Sequence, residues 1–327
     1  MKNKSEGTKL ILSVDEAKKN HELWLKIRNK GIGGSDAGTI LNLNPWKDRY
    51  TLWAEKTGRS TPKDLSNNEK VHWGTKLEPV VAEEFEERHH TKVRKMGTVQ
   101  SLIYPFMYAN VDRMVVGEDA GLEIKTCDYN ERIKWDNGEI PNSYYCQCLH
   151  YLAVFPNIKR WYIAVLIGGN NYKETYIDRN EEEVNYIIQK EKEFWDYVQK
   201  DIEPPVTSAA SCTEVLKNIY KGEKNVIHQL TGEEIESYNK YVDLKKKIKE
   251  MDTTATLYKN RLIRAMENAE YAYIEGKREP VLSYKVSKGK QTTSLTKIQD
   301  KAPDIYTELE KRELINISKS SRIFRVY

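Results

Sequence analysis

Asp112 and the triplet Glu123-Ile124-Lys125, ten residues apart, are the groups in this chain best equipped for chemistry, with Glu78 upstream. Gly121 to Thr126 reads as a short strand, where side chains alternate faces, so Glu123 and Lys125 share one side while Ile124 points into the core. The pattern predicts a preceding strand over 107–116, and Gly117-Glu118-Asp119-Ala120 supplies the turn of a hairpin that can bring Asp112 beside Glu123. Two carboxylates and a lysine on one sheet edge suit magnesium-dependent phosphodiester cleavage. Hard oxygen ligands hold a small cation that keeps several of its waters. The cation polarises the phosphate and activates a water, and the lysine can orient that water or neutralise developing charge. The competing reading of such a trio is a solvated sheet face.

Glu78 shifts the balance. It lies in a helix-like run beside apolar Leu77, Val80, Val81 and Phe85, a costly place for a carboxylate without a partner. A shared metal would be such a partner. A second cluster stands nearer the start, where Gly33-Gly34-Ser35-Asp36 reads as a glycine turn feeding a short helix over 37–43. The N–H groups at a helix start suit a phosphate, and Arg28 can add a two-pronged contact. Alternatively, Ser35 or Asp36 is simply an N-cap.

The elements that must position these groups follow from pattern and punctuation. Val14 to Asn29 reads as a helix started by Ser13, 48–56 as another, and 67–90 as a long one with a break or bend at Gly74 and Pro79. Strands are expected at 92–100, 107–116 and 120–127, then a helix over 141–155 carrying Gln147. Strands at 160–167 and 172–178 bracket the turn Gly168-Gly169-Asn170-Asn171, and Asn180 caps a helix reaching about Lys200. This order gives an α/β fold with a mixed central sheet flanked by helices.

Several motifs stand in an order that resembles the YqaJ-type viral recombinase family. They are Gly31-Ile32-Gly33-Gly34-Ser35-Asp36-Ala37, Asn44-Pro45-Trp46, Leu52-Trp53-Ala54-Glu55-Lys56-Thr57-Gly58, Gly74-Thr75-Lys76-Leu77-Glu78-Pro79, Ala109-Asn110-Val111-Asp112, Leu122-Glu123-Ile124-Lys125 and Tyr144-Tyr145-Cys146-Gln147-Cys148-Leu149. That family is a phage branch of the PD-(D/E)xK nucleases, similar to lambda exonuclease, and the resemblance spans roughly residues 20–200. It implies a restriction-endonuclease-like core in which Asp112 and Glu123, with the Ile124 carbonyl, ligate Mg2+, for which Mn2+ can substitute. Lys125 would be the catalytic lysine, Glu78 a further carboxylate on the metal or its water, and Gln147 a supporting residue. Arg28 and Ser35 match positions that hold the 5′ phosphate of a DNA end. Asn110 stands where family members can carry a phosphate-touching serine, a departure that bears on how strongly a 5′ phosphate is preferred. The resemblance further implies 5′-to-3′ digestion of linear double-stranded DNA, a ring-shaped trimer, and a single-strand annealing protein of the same phage or prophage as partner. A structure-specific endonuclease or a non-catalytic DNA-binding module are the alternatives on the same core, and the intact Glu78, Asp112, Glu123 and Lys125 count against the last.

Composition bounds these readings. The 327 residues, 39% hydrophobic and 31% charged, fit a soluble globular protein with one large or two moderate domains. No apolar run approaches the roughly 20 residues of a membrane span, and the start of the chain lacks a secretory segment, so a cytoplasmic protein is expected; that the cytoplasm is a bacterial host's is what the resemblance implies. Cys127, Cys146, Cys148 and Cys212 match neither a disulfide framework nor an iron–sulfur spacing and are expected as buried free thiols; the histidines lack zinc spacing. Net charge is +4 overall; from Thr213 onward 23 Lys/Arg against 17 Asp/Glu give +6, leaving −2 before it. Asp201-Ile202-Glu203-Pro204-Pro205-Val206 marks a connector, dividing a nuclease core at 1–205 from a helical and β extension at 206–327. In the extension, Thr231 opens a long helix to about Asn268 with an apolar packing stripe, and 271–286 and 321–327 read as strands around a loop and short helix at 292–309. Lys245-Lys246-Lys247 reads as a solvated helix face; Tyr284 to Lys290 is either a DNA-tracking segment or a lysine-guarded edge strand. Trp46 and Trp53 read as core residues ahead of base-stacking ones.

Overall fold

A computed structural model describes residues 7–223, 225–287, 289 and 294–315. In chain order the first part comprises β1 (Thr8–Leu12), α1 (Val14–Lys19), α2 (His21–Arg28), β2 (Ile32–Gly33), α3 (Gly34–Ile40), α4 (Arg49–Lys56) and α5 (Glu69–His89). There follow β3 (Val93–Arg94), β4 (Thr98–Ser101), β5 (Met107–Ala109), β6 (Arg113–Val115), β7 (Ala120–Cys127) and α6 (Asn142–Val154). The part closes with β8 (Arg160–Ile167), β9 (Asn171–Asp178), α7 (Glu181–Gln199) and α8 (Ala210–Ile219).

The helix expected over Val14 to Asn29 is split at Asn20, whose Oδ1 accepts from the Leu23 N–H at 2.9 Å and so caps a second helix. The reverse holds for α5, which runs unbroken from Glu69 to His89 with Pro79 inside it. Its apolar face, Val81, Ala82 and Phe85, is buried against Leu122, Ile124, Tyr162 and Ala164, and this burial outweighs the missing proline N–H.

Two sheets form. The smaller has order β1-β4-β5-β2 and the larger β3-β6-β7-β8-β9, with β7 and β8 parallel and its other neighbours antiparallel. The α6 segment connects the parallel pair, as such a crossover requires. The expected strand at 107–116 is two strands in different sheets, because the chain leaves β5 at Asn110 and enters β6 at Arg113. The expected 92–100 strand likewise divides into β3 and β4, one in each sheet. Helices cover both faces of the larger sheet: α5 on the Leu122/Ile124 side, and α6 on the Ile163/Val165 side through Leu149 and Leu152. Strand register puts Glu123 opposite Ile163 and Lys125 opposite Val165, so both polar side chains face α6.

Gly121 is a packing glycine in this sheet. A Cβ there would lie 2.4 Å from the ring of Trp161, its fully buried register partner on β8. Gly121→Ala is therefore expected to lower stability by about 1–3 kcal/mol, the usual cost of overpacking. Denaturant unfolding would read it as a lower midpoint at unchanged slope.

The chain separates into two compact units between Tyr220 and Lys221. Cys212 and Val215 of α8 are buried with Tyr50, Leu52 and Trp53 of α4 and Phe194 of α7, which makes α8 part of the first unit. The second unit contains α9 (Gly232–Met266), a two-stranded ladder of β10 (Tyr271–Ala272) and β11 (Leu282–Ser283), α10 (Leu295–Lys301) and α11 (Pro303–Lys311). Thr231 and Glu234 form the capping box that starts α9. The strand expected over 271–286 is thus only two short strands, β10 and β11, and two helices, α10 and α11, stand where one was expected. Residues 321–327, Lys288 and Lys290 lie outside the described residues. The apolar stripe of α9 is exposed at Ile235, Leu244, Ile248 and Met251 in the single chain. Among the described residues no helix is long and apolar enough to cross a membrane.

Candidate active site

Asp112 stands in the short gap where the chain changes sheets. The β6–β7 ladder pairs Arg113 with Leu122 and ends there, so two residues further along β7 the Ile124 N–H has no partner in that ladder. The Asp112 Oδ2 takes it at 2.8 Å, so a side chain continues the ladder and is fixed next to Glu123. The break between β5 and β6 is thus what frees Asp112 for the site.

Glu123 is 2% exposed, and its Oε1 accepts from Lys125 Nζ at 2.5 Å and from Gln147 Nε2 at 2.7 Å. Lys125 also donates to Gln147 Oε1 at 3.1 Å and lies 4.6 Å from the centre of the Tyr144 ring. Gln147 Nε2 further contacts the Tyr151 hydroxyl at 2.9 Å, and that hydroxyl donates to the Asn110 carbonyl at 3.1 Å. Helix α6 therefore presents Tyr144, Gln147 and Tyr151 at three- and four-residue spacing onto the polar face of β7.

Electrostatics follow from this crowding. Burial, then the facing Glu123 carboxylate, push the Asp112 carboxyl well above the ordinary aspartate value, opposed by Lys125 and the Ile124 N–H. Burial alone would lower the Lys125 ammonium, but Glu123 and Asp112 outweigh it and hold the group charged. Two carboxylates against one ammonium leave a surplus of negative charge. The buried Glu123 Oε2 has no hydrogen-bond partner, an orphaned oxygen that a hard cation would satisfy. Among the described residues no three His, Cys, Asp or Glu side chains gather into a cage. Magnesium does not need one, since one or two carboxylates with water and substrate phosphate suffice.

Glu78 is placed differently from the pair. Its Oε1 accepts from Arg113 Nη1 and lies 3.2 Å from Lys95 Nζ. The partner that the apolar stripe demanded is thus a pair of cations, which no reading of the sequence singled out.

Arg28 and Ser35 do meet, with Arg28 Nη2 donating to Ser35 Oγ at 2.5 Å. The N-cap of α3 is Gly33, neither Ser35 nor Asp36. Asp36 instead accepts from the Gly33 N–H at 3.1 Å and pairs with buried Lys56 at 3.0 Å. Burial would raise the Asp36 carboxyl, but Lys56, Lys47 and Arg28 around it bring it well below the usual range. Two glycines let α3 sit hard on α6: a Cβ on Gly34 would meet the Tyr151 ring at 2.6 Å, and one on Gly38 the Ser143 Cα at 2.9 Å. Asn110 Oδ1 accepts from Trp24 Nε1 at 3.2 Å and Thr98 Oγ1 at 2.5 Å, and Arg28 lies 5.2 Å from the Trp24 ring centre. Contacts therefore connect Arg28, Trp24, Asn110 and Tyr151 to Gln147.

Other expectations divide. Trp53 is fully buried, whereas Trp46 is 86% exposed and so is no core residue. His89 is partly covered, pairing with Glu174 and stacking on Phe85. The four cysteines are free, all but Cys127 buried. A mixed sheet with helices on both faces, and an acidic pair with a lysine at a strand break, define a PD-(D/E)xK-like core.

Comparison with known proteins supplies the family. The YqaJ-like viral recombinase domain matches residues 23–156. Uncharacterized protein YqaJ of Bacillus subtilis (strain 168) is 38% identical over 304 residues, covering 90% of this chain and 93% of that protein. This chain belongs to the YqaJ-like viral recombinase family. Among solved structures it is similar to an alkaline exonuclease, LHK-Exo from Laribacter hongkongensis, at 15% identity and a TM-score of 0.46, over 56% of this chain and 94% of that one. A phage related exonuclease from Haemophilus somnus 129PT matches at 10% identity and a TM-score of 0.39, over 53% and 96%.

Proposed function

We propose that this protein is a magnesium-dependent exonuclease that digests one strand of linear double-stranded DNA from the 5′ end. The exposed single strand would feed homologous recombination by strand annealing in the cytoplasm of a bacterial host. The observation that carries the reading is the constellation of Asp112, Glu123, Lys125 and Gln147 at the strand break. Asp112, Glu123 and the Ile124 carbonyl would hold Mg2+ or Mn2+. Such a cation, when bound, polarises the scissile phosphate and makes water a competent nucleophile at neutral pH. Lys125 orients that water and offsets charge developing on the phosphate oxygens, Gln147 fixes the lysine against Glu123, and Arg28 with Ser35 receives the 5′ phosphate. Family membership supports a ring-shaped trimer and a single-strand annealing protein as partner, and the extension to the nuclease core is the second compact unit, from Lys221 onward.

The deciding experiment incubates the protein with end-labelled linear duplex and with a closed circle, in magnesium or chelator. Release of nucleotides from the linear substrate alone, dependent on magnesium, supports the exonuclease. Cutting of the circle transfers the reading to a structure-specific endonuclease, and binding without cleavage to a DNA-binding module. In the same assay Arg28→Ala should slow digestion of 5′-phosphorylated ends by about 10-fold or more, the worth of one charge-assisted contact, and leave 5′-hydroxyl ends little changed. Equal slowing of both ends would remove Arg28 from the phosphate pocket.

A further inference from the structure

We infer that Arg113 is a positioning residue that sets the place of Asp112 and the charge reaching the metal site through Glu78; this rests on the nuclease reading above. Arg113 follows Asp112 directly, pairs in register with Leu122, and so lies on the α5 side of the sheet, across from Glu123 and Lys125. It is 5% exposed, a costly place for a guanidinium unless its donors are met. One nitrogen, Nη1, meets two acceptors: the Glu78 Oε1 and, at 2.7 Å, the backbone carbonyl of Asp112. Lys95 adds a second cation at 3.2 Å from the same Glu78 oxygen. Glu78 is therefore the counter-ion of a cationic pair, and Arg113 connects it to the peptide that carries Asp112.

Two effects of opposite sign follow. A guanidinium close to Asp112 repels a divalent cation, so its removal tightens metal binding. The same removal loosens the Asp112 peptide, so that the carboxylate still reaches a cation but holds it less exactly against the substrate, which lowers turnover more than affinity. A residue that merely supports the fold would weaken both when lost.

The test measures Mn2+ binding to DNA-free protein by calorimetry or by the electron paramagnetic resonance of free Mn2+, and kcat on linear duplex separately. Arg113→Gln should bind Mn2+ about threefold or more tightly while kcat falls about tenfold or more, and Arg113→Lys should recover most of kcat. Glu78→Gln should weaken Mn2+ binding. Weaker or unchanged Mn2+ affinity in a folded Arg113→Gln, or no recovery in Arg113→Lys, overturns the inference. Lys95→Ala, at a side chain 44% exposed, guards against misfolding of the Arg113 variants, because it too should bind Mn2+ more tightly. Unchanged affinity there counts against the charge role. Wild-type protein that neither binds Mn2+ nor cleaves DNA would overturn the nuclease reading itself; wild-type protein that does both, with variants that fail the pattern, overturns Arg113 alone.

Discussion

Lys125→Ala is expected to reduce DNA hydrolysis by about three orders of magnitude while duplex binding stays within a fewfold of wild type. The ammonium sits 2.5 Å from Glu123 and 3.1 Å from Gln147, held charged by two carboxylates; in the proposed reaction its interactions with substrate would arise as charge develops on the phosphate. An interaction made mainly in the transition state appears in kcat and hardly in affinity. A fixed donor aimed at developing charge contributes about 10²–10³, and loss of water orientation adds to that. The variant also leaves Asp112 and Glu123 facing one another without a counter-ion. It should therefore melt lower than wild type, and added magnesium should recover more of that loss than it adds to wild type. Single-turnover cleavage, filter binding and melting with and without Mg2+ give the three readings. Wild-type-like turnover removes Lys125 from the chemistry.

How much of this was legible beforehand depends on whether the signal was local. Strand β7, the α6 helix and the alternation that puts Glu123 and Lys125 on one face follow from period-2 and period-3.6 patterns, and the structure has them at Ala120–Cys127 and Asn142–Val154. The Asp112–Glu123 juxtaposition also followed, although for an incomplete reason. A continuous 107–116 strand was expected, whereas the chain crosses between sheets at Asn110-Val111-Asp112, and sheet membership is a long-range choice that no window of sequence displays. Arg113 and Lys95 around Glu78 were missed for the same reason, since their contact joins α5, β6 and the β3–β4 connection. Glu78 beside an apolar stripe was the one visible clue; it predicted a partner but could not distinguish a metal from a cation. Asn20 misled through propensity: its neighbours favour a continuous helix, and only the cap it forms with Leu23 reveals the stop. Trp46 shows the limit of composition, because a tryptophan is assumed buried until the loop that carries it is known to leave it outside.

His150 and Glu191 were not singled out by any motif, yet they underlie the second large effect. His150 on α6 is completely buried; Nδ1 faces both Glu191 oxygens at 2.8 and 2.9 Å, and Nε2 faces the Tyr108 carbonyl at 2.9 Å. Acceptors on both ring nitrogens suit the imidazolium, which donates from each, better than a neutral ring, which donates from one. Burial pulls the imidazole pKa down, but the Glu191 carboxylate outweighs it and the pKa ends raised. The ring thereby fastens α6, which carries Gln147 and Tyr151, to α7 and to β5. Breaking a buried pair by removing one partner leaves an uncompensated charge, so Glu191→Ala should cost about 3–5 kcal/mol. The gentler Glu191→Gln keeps the shape and tests the charge through pH. Because the folded-state pKa of His150 lies above its unfolded value, its stabilisation is complete below about pH 6.5, the unfolded value, and is lost as pH rises through the folded pKa. The stability gap between wild type and Glu191→Gln should then be widest in mild acid and narrow steadily toward alkaline pH. Chemical denaturation of both proteins from pH 6 to 9 measures that gap. Parallel curves would mean that the imidazole is neutral throughout and that Glu191 holds α6 by shape and hydrogen bonding alone.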